Sequence, residues 1–328
     1  MSQTAGRGSA ELASRWQALD PLLPAPAAVA ADVLAAGGGH AILAEVGDQQ
    51  VAAGTCDHWA GSLDSLDLTW GAARRFRLAA EVAGPDVASS LDTLLSRWRE
   101  HLDRVEGADD VDSSAVLTWP SRDVAGVKTL FRHGFAPLAV IAARLTSAPS
   151  AAVGTGRDRD TAVPAGVTIR RATTADIDDV VRLGLDVIRY DALVSGVTER
   201  AGTADALRRE IAGLLAGQDP WIWLAEQRGQ AVGMLAAERP PTAQWIAPMV
   251  AGAPVAYLLL MGVAAQLRGG GVGAAMTARL HREIETAGVA ITLLHYAQVN
   301  PLSAPFWSQQ GYRPLWTVWE ATPVRCFR

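Results

Sequence analysis

Hydrophobic residues at four-residue steps, Val272, Met276, Leu280 and Ile284, predict a helix with one buried stripe. It follows a continuous apolar run at 258–263, which reads as a buried strand. The same test places helices elsewhere. Leu91, Leu94, Leu95, Trp98 and Leu102 form one face over 90–102. Ile177, Val180, Val181 and Val187 form another, after a start signalled by Thr173 with Asp176 three residues on. Further helices are predicted at 10–19, 124–133, 204–215 and 301–310. Alternating or apolar runs predict strands at 41–46, 51–56, 76–82, 115–119, 138–145, 167–171, 221–226, 231–238, 290–296 and 312–319. Strands and helices alternate, so the fold class is α/β, a mixed twisted sheet flanked by helices.

The pattern lapses twice. Residues 1–39 are an Ala/Pro-rich extension, and 147–165 mix Ser, Ala, Pro and Gly with scattered Arg and Asp in the manner of a linker. Two domains are therefore predicted, 40–146 and 166–328. They repeat one another. Leu117-Thr-Trp119 and Gly134-Phe135-Ala-Pro137-Leu138 align without a gap on Leu294-His-Tyr296 and Gly311-Tyr312-Arg-Pro314-Leu315.

Between the apolar strand and the helix lies Arg268-Gly269-Gly270-Gly271-Val272-Gly273-Ala274. Glycines there clear side chains from the unpaired N–H groups of the first helical turn, where the helix dipole favours an anion. No Gly-Lys-Ser/Thr follows, which excludes a nucleotide P-loop. Gly269-x-Gly271-x-x-Ala274 matches a dinucleotide fingerprint, but the glycines stand too far from the strand, and the next strand does not end in an acidic residue.

Arg268-x-x-Gly271-x-Gly273 resembles the pyrophosphate signature of the GNAT superfamily of acyl-CoA-dependent N-acetyltransferases. A second block of that superfamily has its counterparts in Asn300, Ser303, Phe306-Trp307 and Gly311-Tyr312. The resemblance spans 167–321. With the repeat, it implies tandem GNAT folds whose N-terminal copy is degenerate, since Pro85 and Asp86 stand where bare amides are needed. That copy is expected to be structural or to wall the substrate cleft.

The resemblance implies acetyl-CoA as cosubstrate, with its phosphates on Arg268 to Ala274 and further contacts from Asn300 and Phe306. A backbone donor at Met261, Gly262 or Val263 would hold the oxyanion, and Gly262 suits either a strand bulge or closer packing on the strand. Relatives place an acidic Tyr where this chain has Trp307, whose indole N–H releases no proton at neutral pH. Tyr296 is the candidate acid, with His295, Ser303 and water as alternatives. Glu238 is the candidate base, ahead of Glu199, Asp191 and Tyr190. Trp221, Trp223, Trp245 and Trp307 are candidates for an apolar lining of the cleft or, as tryptophans commonly are, for the core. The predicted reaction is N-acetylation of a small-molecule amine. A protein or peptide amine, or a non-catalytic acyl-CoA-binding regulator, are the alternative readings.

Composition narrows this little further. Apolar residues are 49% of the 328 and charged ones 19%, as in a globular chain. No run is long enough for a membrane span, and the N-terminus lacks the core of a secretory signal. Cys56 and Cys326 lie too far apart for a metal motif, so no metal is expected. The net charge of -5 argues against nucleic acid as partner. A cytoplasmic monomer or homodimer is the expectation.

Overall fold

The computed structural model describes residues 2–26, 39–46, 49–62, 64–146 and 163–328. Most of the predicted linker, 147–162, and part of the extension, 27–38, lie outside these residues. The strands are β1 (His40–Val46), β2 (Gln49–Ala60), β3 (Arg74–Val82), β4 (Ser113–Pro120), β5 (Ala136–Leu145), β6 (Val167–Arg171), β7 (Trp221–Gln227), β8 (Gln230–Glu238), β9 (Val255–Val263), β10 (Ile291–Ala297) and β11 (Arg313–Ala321). The helices are α1 (Ser2–Leu19), α2 (Val87–Leu102), α3 (Val127–Arg132), α4 (Ile177–Ala192), α5 (Thr203–Ala216), α6 (Val272–Thr286) and α7 (Ser303–Gln309). Two predicted stripes are buried, Leu91, Leu94, Leu95, Trp98 and Leu102 on α2, and Val272, Met276, Leu280 and Ile284 on α6. On α4, Val180 and Val181 are buried and Ile177 and Val187 only partly so. The helix predicted at 124–133 is shorter, because Val124 is exposed and its segment turns before α3 begins.

All strands join one sheet, in the order β1-β2-β3-β4-β11-β5-β10-β9-β8-β7-β6. Only β3/β4 and β9/β10 are parallel; the other neighbours are antiparallel. The halves exchange their last strands. β11 pairs with β4 of the first half, and β5 pairs with β10 of the second. The sequence repeat is exact in register. Pro314 lies 177 residues after Pro137 (314 − 137), and the same offset relates Trp319 to Ala142. In the β5/β11 ladder Pro314 faces Ala142 and Trp319 faces Pro137, while Val140 faces Thr317, its own equivalent. A pseudo-two-fold axis therefore passes beside Val140 and Thr317. Gly134 and Gly311 both adopt φ 85° where the repeated turn enters the last strand, and a Cβ on Gly134 would lie 2.1 Å from the carbonyl oxygen of Cys326.

One face of the sheet is covered by α2 and α3 over the first half and by α6 and α7 over the second. On the other face, α4 and α5 cover β7 to β9. There α1 crosses the exchanged strands, with Leu12 and Trp16 against Ile141, Ala143 and Trp316. The Trp16 and Trp316 rings meet edge to face at 5.1 Å, and Asp20 pairs with Arg313. The helix is thus a strap across the axis. Trp221, Trp223 and Trp307 are core residues under the α6 side, 2%, 0% and 7% exposed, and do not line an open cleft. Of the four candidates only Trp245 is exposed. Among the described residues no helix is long and apolar enough to cross a membrane.

Candidate active site at the parting of β9 and β10

The parallel ladder between β9 and β10 ends at Leu258 and Leu294. Beyond it β9 continues to Val263 and β10 to Ala297, so the strands part and leave an opening through the sheet. The bulge of β9 falls at Leu259, because Ala236 faces Leu260 while the next residue, Ala237, faces Leu258. This corrects the bulge reading of Gly262, which pairs regularly with Met234. Gly262 has a different cause. A Cβ there would lie 2.5 Å from Val187 Cγ2 of α4, so the glycine admits the helix onto the strand.

Ala264 donates its N–H to Val232 of β8 at 2.8 Å. In an antiparallel ladder alternate residues turn to the same neighbour, so Met261 and Val263 direct their N–H and C=O away from β8, into the opening. The Val263 carbonyl accepts from Arg268 Nε at 3.1 Å. The Arg268 guanidinium lies 4.9 Å from the centre of the Tyr190 ring. Gly269 and Gly271 adopt φ of 76° and 87°, and the first bond of α6 runs from Ala275 to Gly271. The amides of Val272, Gly273 and Ala274 are therefore left unpaired by the helix at an exposed turn. Phe306 of α7 lies alongside, its ring 3.4 Å from where a Cβ on Gly273 would stand.

Asn300 is 5% exposed and tied at both ends. Its Oδ1 accepts from the Leu302 N–H at 2.9 Å, and its Nδ2 donates to Asp191 Oδ1 at 2.8 Å. Burial raises the Asp191 carboxyl above its usual range, against the bond from Asn300. Glu199 is occupied in an exposed pair with Arg189.

The two catalytic candidates stand on opposite faces. Tyr296 packs on the α6/α7 side with Phe306 and Met261, half-buried, and its phenol is shifted up by burial. Among the described residues nothing hydrogen-bonds its hydroxyl. Glu238 lies on the α4/α5 side, 5% exposed, with Oε2 accepting from Trp245 Nε1 at 2.8 Å. Burial raises its pKa, the Trp245 bond opposes this, and Glu210 adds to it. Sequence reasoning named Trp245 and His295 but missed Tyr257, which links them. Tyr257 faces Glu238 across the ladder, and its hydroxyl lies 3.0 Å from Nδ1 of His295. No local pattern links residues 238, 257 and 295; only the strand order does.

The first half walls this face. Thr198 donates its N–H to the Thr69 carbonyl at 2.9 Å, and Arg200 pairs with Asp112 at 2.8 Å and bonds the Leu68 carbonyl at 3.0 Å. The loop after α4 is thereby clamped to the 3-10 turn Leu66–Trp70. The first half has its own parting, since the β3/β4 ladder ends at Leu78 and Leu117. Arg15 of α1 lies across it, bonded to the Val82 carbonyl at 3.0 Å and paired with Asp123. Asp86 caps α2 by accepting from the Ser89 N–H at 3.0 Å. No group of metal-ligating side chains occurs among the described residues.

No protein-family model matches the sequence, and no curated protein resembles it closely enough to count as a relative. Solved structures do resemble it. A GCN5-related N-acetyltransferase from Sphaerobacter thermophilus aligns over 93% of this chain and 96% of its own, at 16% identity and a TM-score of 0.53. A GCN5-related glucosamine N-acetyltransferase region of a fungal multi-domain β-N-acetylglucosaminidase aligns over 91% of this chain and 34% of its own, at 14% identity and a TM-score of 0.51. The protein thus has the GNAT fold, in a tandem form whose two copies share one sheet.

Proposed function

We propose that the protein transfers an acetyl group from acetyl-CoA to the amine of a small molecule. One observation carries this reading: an opening between β9 and β10 that leads, on one face, to an exposed turn of free amides. The pyrophosphate of CoA would rest on the amides of Val272 to Ala274, with Arg268 beside it. The pantetheine arm would follow the edge of β9, and the N–H groups of Met261 and Val263 would meet the thioester oxygen as it becomes an oxyanion. The amine would enter from the opposite face. Its nitrogen attacks the thioester carbon, the C–N bond forms as the C–S bond breaks, and the thiolate leaves.

Tyr296, on the coenzyme side with an unengaged hydroxyl, is our donor for that thiolate. Glu238 fits the acceptor side, where its carboxylate, held by Trp245, offers a negative charge to an incoming ammonium. Asn300, with Oδ1 and one amide hydrogen already engaged, orders the loop before α7 next to the coenzyme. The clamp between the two halves favours a walled cleft over an open groove, and hence a small acceptor; the fungal region of similar fold is named a glucosamine N-acetyltransferase. The test is release of free CoA with a panel of amines. CoA binding without release in any amine would leave a binding protein instead.

Two further results are expected. Calorimetry should give one CoA per chain, because Arg15 crosses the first parting and Asp86 occupies the turn of α2. Saturation at two equivalents would show that the first copy also binds. Trp307→Phe should keep most of kcat, since Trp307 only packs against Phe306 and Tyr312. Tyr296→Phe should lower kcat about tenfold, modestly because a thiolate leaves easily. An unchanged kcat and pH profile in Tyr296→Phe would remove Tyr296 as the acid.

A further inference from the structure

Four side chains from three neighbouring strands and the turn after β8 stand in series on the acceptor face: Glu238, Trp245, Tyr257 and His295. Trp245 donates to Glu238 at 2.8 Å and meets the Tyr257 ring edge to face at 4.8 Å, and the Tyr257 hydroxyl lies 3.0 Å from His295 Nδ1. The series ends at the opening. Leu294 makes the last parallel pair with β9, and His295 is the next residue. Leu293, two residues earlier, packs on the α1 side, so His295 projects to the face opposite Tyr296. Tyr257 is 7% exposed, whereas the His295 side chain is exposed, and its Nε2 has no protein partner among the described residues.

We infer that His295 takes the proton from the attacking amine and that Tyr257 positions its ring. This rests on the acyltransfer reading above. With the ring proton on Nδ1, donated to the Tyr257 oxygen, Nε2 presents its lone pair to the cleft. It accepts one proton from the acceptor's ammonium, and the freed nitrogen pair forms the C–N bond as the C–S bond breaks. The thiolate departs with a proton from Tyr296; the second proton, lost from nitrogen as the neutral amide forms, passes through solvent and restores Tyr296. The ring becomes imidazolium and returns the proton to solvent.

The surroundings suit a neutral ring. Tyr257 faces it from β9, and that phenol is pushed up by burial, then by Glu238 and by Asp67 of the first-half wall. From β5 the cross-strand neighbour is Ile141, which is apolar. The protein mass around the imidazole pushes it from 6.5 down to about 4, while the open side of the cleft moderates that shift. The ring is mostly neutral at pH 7 in either limit. Turnover should therefore fall with acidification through an acid limb between pH 6.5 and about 4, where His295 gains its proton.

The experiment compares CoA release by the wild type, His295→Gln and Tyr257→Phe across pH, with CoA affinity measured in parallel. His295→Gln should lose about 100- to 1000-fold in kcat, keep CoA affinity and lose the acid limb. Tyr257→Phe should lose about tenfold in kcat with KM unchanged and a displaced limb, which a purely structural role would not give. His295→Ala, with turnover restored by added imidazole, serves if the glutamine variant folds poorly. Wild-type kcat and pH profile in His295→Gln, or no rescue of a folded and impaired His295→Ala, would overturn the inference. A wild type that binds CoA but acylates no amine would overturn the acyltransfer reading itself.

Discussion

Gly273→Glu is expected to weaken CoA binding by about 100- to 1000-fold while the protein stays folded. The position is a helical glycine in the first turn of α6, and a Cβ there meets the Phe306 ring at 3.4 Å, an ordinary contact. Gly271 would be a poorer choice, since φ 87° strains any side chain placed there. A glutamate at 273 brings its own carboxylate to the amides of Val272 to Ala274 and repels a second anion. Losing two charge-assisted hydrogen bonds at about 1.5–2 kcal/mol each, the lower part of their usual span, gives the range, at about 1.4 kcal/mol per tenfold. Calorimetry checks affinity and thermal unfolding checks the fold. A folded variant that binds CoA like the wild type would remove the turn as the coenzyme site.

The second large effect concerns the halves. Residues 163–328 alone should not form a stable monomer, although they contain every residue of the candidate site named on the second half. Without β5 there is no strand between β10 and β11. Val140 and Ala142 then vanish from the core under α6 and α7, and Ile141 and Ala143 from the core under α1. These four buried side chains and three ladders, β5/β10, β5/β11 and β4/β11, are lost together, more than a marginally stable fold tolerates. Mixing fragments 1–162 and 163–328 should restore a cooperative unfolding transition and CoA binding. A cooperative transition for the second fragment alone would mean that β11 can close onto β10 directly.

The repeat that predicts two copies was readable because Gly134 and Gly311, and Pro137 and Pro314, occupy turns and strand starts that tolerate few other residues. The phosphate turn was readable for the same reason. The exchange of β5 and β11 was not. Apolar strands such as 138–145 and 312–319 pair equally well with several neighbours, and nothing local records which one wins. Leu259 carries a bulge without any residue type that marks one, whereas Gly262 looks like a bulge and is a contact with Val187. Tryptophans 221 and 223 read as cleft lining or core alike, until the alternation of β7 places both beneath α6. The link from Glu238 to His295 crosses three strands and has no sequence signature at all.

The strand exchange also sets a schedule for biosynthesis. β4 ends at Pro120, and its outer neighbour begins at Arg313, 193 residues later (313 − 120). At roughly 5–20 residues per second, the ribosome needs about 10–40 s to deliver that partner. Throughout this time the nascent first half presents an open β4 edge, with Leu117 and Trp119 in the strand beside it. Such an edge is a template for pairing with another nascent chain. The cell's yield of this protein should therefore depend on how well chaperones shield one strand until the last one emerges.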